Sequence, residues 1–350
     1  MTTLVRSCGI VVWALARLLL LGAPTHGVAA EVEDVVIASS ATDPDIRSRR
    51  TGKILDYTGN ELKLRTTLGR EETIPTVRIA EIQTVWSAEH QAGNAARSAG
   101  KLDEAIESYG RARREEPRGW GRRQIQAELA GTYLEAGRIV DACDEFLAIV
   151  AGDPATPHYE AIPIAWRAAV PNGVLEGRAE AWIAPDQPPA ARLLGASWLL
   201  PGSERGAAIA ALEQLERLDD LQIRGLARVQ LWRTKLVTAK PGEIAAWEYQ
   251  LQDMPLSIQA VGWYVIGELR ARRDEHQQAA LAYLKVPLLF RRQRAMSADA
   301  LLAAAKQLAT MEQTEPAAGL LEEVVRDFGH MPAATEARSL LAKRATPAAP

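Results

Sequence analysis

Histidine, cysteine and phenylalanine are scarce in these 350 residues, and the net charge is close to zero: five His, two Cys, three Phe and a formal charge of −3 at pH 7. Two cysteines, Cys8 and Cys143, are too few for a disulfide scaffold. The histidines beyond Ala30 are His90, His158, His276 and His330. They are far apart, and none has a second His or a carboxylate at the spacing of an H-E-x-x-H zinc helix. Neither a G-x-S-x-G elbow nor a glycine-rich phosphate loop occurs. Near neutrality excludes the basic stripe that nucleic acid demands. No catalytic residue, no metal and no cofactor is therefore indicated.

The N-terminus has the layout of a leader. Arg6 is basic, Ile10 to Leu21 is apolar apart from Arg17, and Val28, Ala29 and Ala30 close the segment with small residues. That order fits a secretory signal peptide over 1–30, with the mature chain starting at Glu31. The apolar run is short for a membrane span, so an uncleaved N-terminal anchor is the alternative. Cleavage would remove Cys8 and leave Cys143 alone, next to the small residue Ala142 and expected to be buried.

What the chain does have is a repeat. Ala105, Tyr109, Ala112 and Pro117 recur 37 residues on as Ala142, Phe146, Ile149 and Pro154. A fixed offset of that size implies stacked helix pairs. A small residue marks the closest approach of two helices, the aromatic one turn on fills the wider gap, and proline ends the pair. Gly93 precedes Ala105 by twelve residues, and Gly100 and Gly137 mark the turns within each pair. Near the C-terminus Gly267, Ala279, Tyr283, Val286 and Phe290 repeat the register, with Ala317, Leu321, Val324 and Phe328 a further 38 residues on from the last four. These segments resemble tetratricopeptide repeats.

That resemblance implies a mainly α fold, an α-solenoid of about seven helix pairs over 86–343 with Ala333 to Lys343 as a capping helix, then a tail over 344–350. The middle pairs are more divergent. Trp166, Trp182, Trp198, Trp232, Trp247 and Trp263 are all expected there on helices, most of them as core.

Residues 31–85 follow a different rhythm. Short alternating runs around Val36, Ile54, Leu62, Leu64 and Ile74, with turns at Thr58-Gly59-Asn60 and Leu68-Gly69-Arg70, predict a small antiparallel sheet. Gly52 to Gly59 followed by Glu61 to Leu64 resembles the bent strands of SH3-like or Sm-like barrels. Asp43, Pro44 and Asp45 read as a solvated turn, since two carboxylates do not complete an oxygen cage for a metal. The arginine clusters at Arg111, Arg113, Arg114, at Arg118, Arg122, Arg123 and at Arg291, Arg292, Arg294 read as solvated turns and helix ends.

In the repeat family the first helix of each pair lines a concave groove. The resemblance places His90, Asn94 and Arg97 of the first pair on that wall, where chaperone-binding members carry Lys, Asn and a basic residue to hold a C-terminal carboxylate. Glu128 of the second pair would repel such a ligand, so another mode of peptide binding is expected. Tyr264 and Glu268 occupy the same wall in the late repeat, with Tyr264 as an aromatic anchor. The sequence thus predicts an exported, periplasmic or secreted, non-catalytic scaffold of the bacterial envelope that binds a protein partner and no nucleic acid, with peripheral association to an envelope component. The alternatives are a self-assembling homo-oligomer and an accessory subunit whose β-domain binds a ligand.

Overall fold

The computed structural model describes residues 33–345 apart from 41, 42, 44 and 170. The leader, its cleavage point and the tail beyond 345 lie outside the described residues. Among those described, no helix is long and apolar enough to cross a membrane.

Five strands come first: β1 (Asp34–Ser39), β2 (Arg47–Tyr57), β3 (Glu61–Thr66), β4 (Glu71–Pro75) and β5 (Ile79–Gln83). They form one sheet in the order β4-β3-β2-β1-β5, with every neighbour antiparallel. Alternation puts Val36, Ala38, Ile54, Leu62, Leu64 and Ile74 on one buried face. Its two edge strands are consecutive in the chain, joined by a single 3-10 turn over Thr76–Arg78. A flat five-stranded sheet would hold its edges about 19 Å apart, and four Cα steps from Pro75 reach at most about 14 Å, so the sheet must curl. Register shifts at Ile37/Ala38 and at Ile54/Asp56 supply local bends. The expected barrel does not close. No ladder joins β4 to β5: Pro75 has no N–H to give, and the N–H of Thr76 donates to Asn60 O at 3.0 Å instead.

The helices follow: α1 (Ala88–Ser98), α2 (Leu102–Glu115), α3 (Gly119–Glu135), α4 (Ile139–Gly152), α5 (Gly173–Trp182), α6 (Pro189–Leu199) and α7 (Arg205–Leu215). After these come α8 (Leu221–Arg233), α9 (Pro241–Gln252), α10 (Leu256–Ala271), α11 (His276–Leu289), α12 (Arg294–Thr310), α13 (Thr314–Asp327) and α14 (Pro332–Ala345). Several starts are capped by side chains, as when Ser87 Oγ accepts from His90 N–H and Asp220 accepts from Gln222 and Ile223. The sheet is fastened to α3. Trp120 joins the buried face of the strands and its Nε1 donates to Ile54 O at 3.3 Å, while the Arg118 guanidinium lies 5.1 Å and 4.8 Å from the ring centres of Trp86 and Trp120.

Most chain neighbours pack on each other, and α6 on α8, α8 on α10, α10 on α12 and α12 on α14 pack one step further along. The repeat register is visible in the contacts. Tyr109 lies under Gly93, and Tyr283 under Gly267, with the same ring atoms facing each glycine. Cys143 is buried and free, its thiol pushed up by burial.

One expectation fails in an instructive place. Trp166 is not on a helix: between α4 and α5 the chain makes only a 3-10 turn at Tyr159–Ala161 and then runs irregularly through 162–169. Pro163 has no N–H for a helical bond and favours the extended conformation that Ile162 before it adopts, with φ −60° and ψ 122°, while Pro171 follows at the far end. The third unit therefore lacks the first of its two expected helices. The far end of the run comes back to the beginning. α12 packs on α3, and the His330 ring abuts Gly100 in the α1–α2 turn.

Candidate functional site

The face of α1 that carries His90, Asn94 and Arg97 is spaced i, i+4, i+7, so the three side chains stack in one row. They meet a matching row on α3. His90 Nε2 is 2.6 Å from Glu128 Oε2, and Arg97 donates from Nε and Nη2 to Glu135 Oε1 at 2.9 and 2.6 Å. Asn94 accepts the Tyr109 hydroxyl at 2.6 Å. His90 is only 2% exposed and lies behind the wall, whereas Asn94 and Arg97 line a cleft of about 350 Å³.

The opposite wall comes from distant sequence: Glu160 from the 3-10 turn, Trp166 from the irregular stretch, and Arg292, Arg294 and Met296 around the start of α12. Tyr264 and Glu268 are not among the lining residues. Tyr264 is 7% exposed and packs edge-on against Tyr283 at 5.2 Å, so it has little surface for a partner. Glu268 pairs with Arg272 at 3.4 Å and leaves its other carboxylate oxygen buried without a hydrogen bond.

A second chamber of about 320 Å³ adjoins the first, sharing Leu134, Glu135, Trp166 and Ala295 with it. Its remaining lining is mostly apolar and includes Ile139, Leu175, Trp198 and Met331. Trp166 stands between the two chambers and is held there by Asp299, which accepts its indole N–H at 3.0 Å and pairs with Arg167 Nε at 3.2 Å. Burial raises the Asp299 carboxyl above its usual range against the pull of Arg167.

Glu135 is the electrostatic centre of the cleft. Its second oxygen faces Arg294 Nε and His330 Nε2, each 3.5 Å away, at ion-pair rather than hydrogen-bond distance. Burial pushes this carboxyl up, but His330, Arg97 and Arg294 together hold it below the ordinary glutamate value. The Arg97 guanidinium, which burial would lower, is raised by Glu135. His158, which lines the first chamber, is pushed down to about 4, first by burial and then by Arg123.

Of the residues placed on the wall from sequence, Asn94 and Arg97 line the cleft; Trp166 was read as helical and Arg294 as part of a solvated cluster, and Glu135 and His330 were not singled out. For Trp166 the bracketing prolines were the available signal. Arg292 and Arg294 read as solvated charges, and the contacts give both acidic partners, Glu160 at 3.1 Å and Glu135. Among the described residues no group of three or more His, Cys, Asp or Glu could hold a metal. Against known proteins, no family model matches the chain and no curated protein matches it.

Proposed function

We propose that this chain is an exported, non-catalytic adaptor of the bacterial cell envelope, a tetratricopeptide-like solenoid that binds a partner peptide in its groove, with the curled β-sheet as an N-terminal accessory. The groove is the pair of adjoining chambers walled by α1 and α3 on one side and by Trp166 and the start of α12 on the other. The observation that supports this most is their make-up: a mostly apolar chamber adjoining one lined by Asn94, Arg97, Glu135, Glu160 and Arg292, the combination peptide-binding surfaces use for anchoring and orientation.

The test is site-specific photo-crosslinking in intact cells, with the photoreactive residue placed at Gln124 or Gln293 in the cleft and at Arg217, an exposed position outside the lining of either chamber, as control. Discrete adducts from the cleft positions only are expected. Adducts from Arg217 alone, or none from any position, would sink the adaptor. Fractionation and N-terminal sequencing of the same cells should find the chain beginning at Glu31 in the periplasmic or secreted fraction.

A second reading, self-association, has its own observation. Leu281, Leu288 and Leu289 on α11 are exposed at helix spacing, a stripe of the kind that pairs copies of a chain. Leu288→Lys would then convert a dimer to a monomer in sedimentation.

A further inference from the structure

Between α4 and α5 the chain uses the twenty residues 153–172, although the two helices pack on each other. Adjoining helices are ordinarily joined by about two to eight residues. The surplus is stowed against the layer that α6, α8, α10 and α12 build by packing in succession. The 3-10 turn packs on α10, a γ-turn follows in which Ile164 N–H donates to Ile162 O at 2.9 Å, and Ile162, Ile164, Ala165 and Trp166 are all buried. The layer holds this strap by its backbone. Pro163 O accepts from Trp198 Nε1 at 3.0 Å, Ala165 N–H donates to Ser197 Oγ at 3.3 Å, Ala165 O accepts from Gln230 Nε2 at 3.0 Å, and Arg167 O accepts from Arg233 Nη2 at 2.9 Å. One side chain is recognised as well, since Asp299 of α12 accepts the Trp166 indole N–H.

Ser197, Gln230 and Arg233 are polar side chains buried in the helical core. Arg233 forms no ion pair among the described residues; its guanidinium donates to the carbonyl groups of Ser197 and Arg167 and to the Gln230 amide oxygen, and burial lowers it to about 10. A buried cation without a carboxylate beside it is costly. The acceptors for Trp198 Nε1, Gln230 Nε2 and Arg233 Nη2 are all carbonyls of the strap, so these donors are satisfied only while a peptide backbone lies across them. We propose that this layer is a peptide-binding face whose resting occupant is the chain's own residues 162–167, and that a partner segment of the same chemistry, a proline turn followed by aliphatic, alanine and tryptophan residues, takes that place by exchange. An empty seat would orphan buried donors, so any newcomer must bring carbonyls at alternate positions and an N–H for Asp299. The slack in the connection lets residues 162–167 leave while α4 and α5 keep their contact. A tethered occupant competes at an effective concentration on the order of millimolar, which closes the resting chain to weaker or dilute ligands. Such exchange rests on the adaptor function and gives its partner a defined chemistry.

The probe is a fluorescein-labelled peptide with the sequence of residues 159–169, titrated by anisotropy into the full mature chain and into Trp166→Ala, which loosens the strap. The variant should bind the probe saturably and at least roughly tenfold more tightly than the parent chain does, and a probe with alanine in place of its tryptophan should lose about as much. Equal affinities of parent and variant, or no binding by a folded variant, would overturn exchange. Native-state amide exchange of the parent chain decides the matter should Trp166→Ala fail to fold. There the Ala165 amide should open at a free energy below that of the α6 and α8 amides and lose protection when excess probe is added. Opening only with global unfolding, or protection unaltered by the probe, would sink the proposal. If cleft adducts persist in cells while these tests fail, the adaptor stands and only the exchange is lost; if both fail, the adaptor itself falls.

Discussion

A Cβ built on Gly93 would lie 2.7 Å from Cδ1 of Tyr109, and one on Gly267 lies at the same distance from Cδ1 of Tyr283. The two helix pairs thus share one packing solution although they are far apart in the chain. Gly93→Ala and Gly267→Ala should each destabilise by about 1 to 3 kcal/mol through overpacking. Gly319→Ala, where a Cβ meets nothing within 4 Å, should stabilise by roughly 0.5 to 1 kcal/mol as an ordinary helix substitution. Urea midpoints for the three variants check this, and a common sign would show that the glycines are not contact residues.

The turns carry a second test of the repeat. Gly100 and Gly137 adopt φ of 74° and 72°, and the matching later turns place Asp274 and Glu312 at 58° and 60°. A side chain in that region is strained, more for Glu than for Asp. Glu312→Gly should therefore raise stability by roughly 0.5 to 1 kcal/mol, with a smaller gain for Asp274→Gly. Thermal melts in one buffer suffice to measure both.

His158 sets a pH dependence. Its folded value of about 4 lies below the ordinary 6.5, so as pH falls the unfolded chain takes up a proton before the folded one does. Stability from this group is intact above pH 6.5 and declines toward pH 4, by at most roughly 3 kcal/mol. His158→Phe should flatten the profile of unfolding free energy over that interval. An unaltered slope in the variant would assign the loss to other groups.

Glu135 acts in a lower window. Its folded value is depressed below the ordinary 4.5, so its contribution is present above that pH and disappears as pH drops through the folded value. Glu135→Gln leaves Arg97 and Arg294 facing a neutral amide and should cost about 2 to 3 kcal/mol at pH 7. Chemical denaturation of wild type and variant at pH 7 and pH 3.5 should show the difference narrowing at the lower pH.

Tyr264→Ala should act on stability rather than on recognition. The ring is buried against Tyr283, and truncating such a side chain costs about 3 to 5 kcal/mol. The same preparation, if folded at low temperature, should retain the photo-adducts formed from Gln124 and Gln293, since Tyr264 does not line the cleft.

Much of this architecture was legible because it depends on spacing. Gly93, Ala105 and Tyr109, or Gly267, Ala279 and Tyr283, announce a helix pair by local periodicity alone. The sheet announced itself through alternation at Leu62, Leu64 and Ile74. Barrel closure was not readable, since it turns on whether one strand's N–H groups meet another's, and Pro75 decides that locally. The cleft was only half readable. Asn94 and Arg97 follow from helix register, but the wall opposite is assembled from Trp166 and Arg294, whose approach depends on how every intervening helix is inclined. Periodicity also misassigned Trp166, because spacing cannot tell whether a segment between two prolines still forms its hydrogen bonds.

The meeting of Glu135 with Arg294 and His330 has a consequence for how the molecule comes apart. In a run of helices that touch only near neighbours, the terminal units fray first and melting spreads inward. Here the last interhelical turn is tied to the third helix, so the end cannot peel off until its charges are parted from the buried Glu135. Loss of structure should then be a single concerted event, and formation should wait on a contact that spans most of the chain, a slow step in folding.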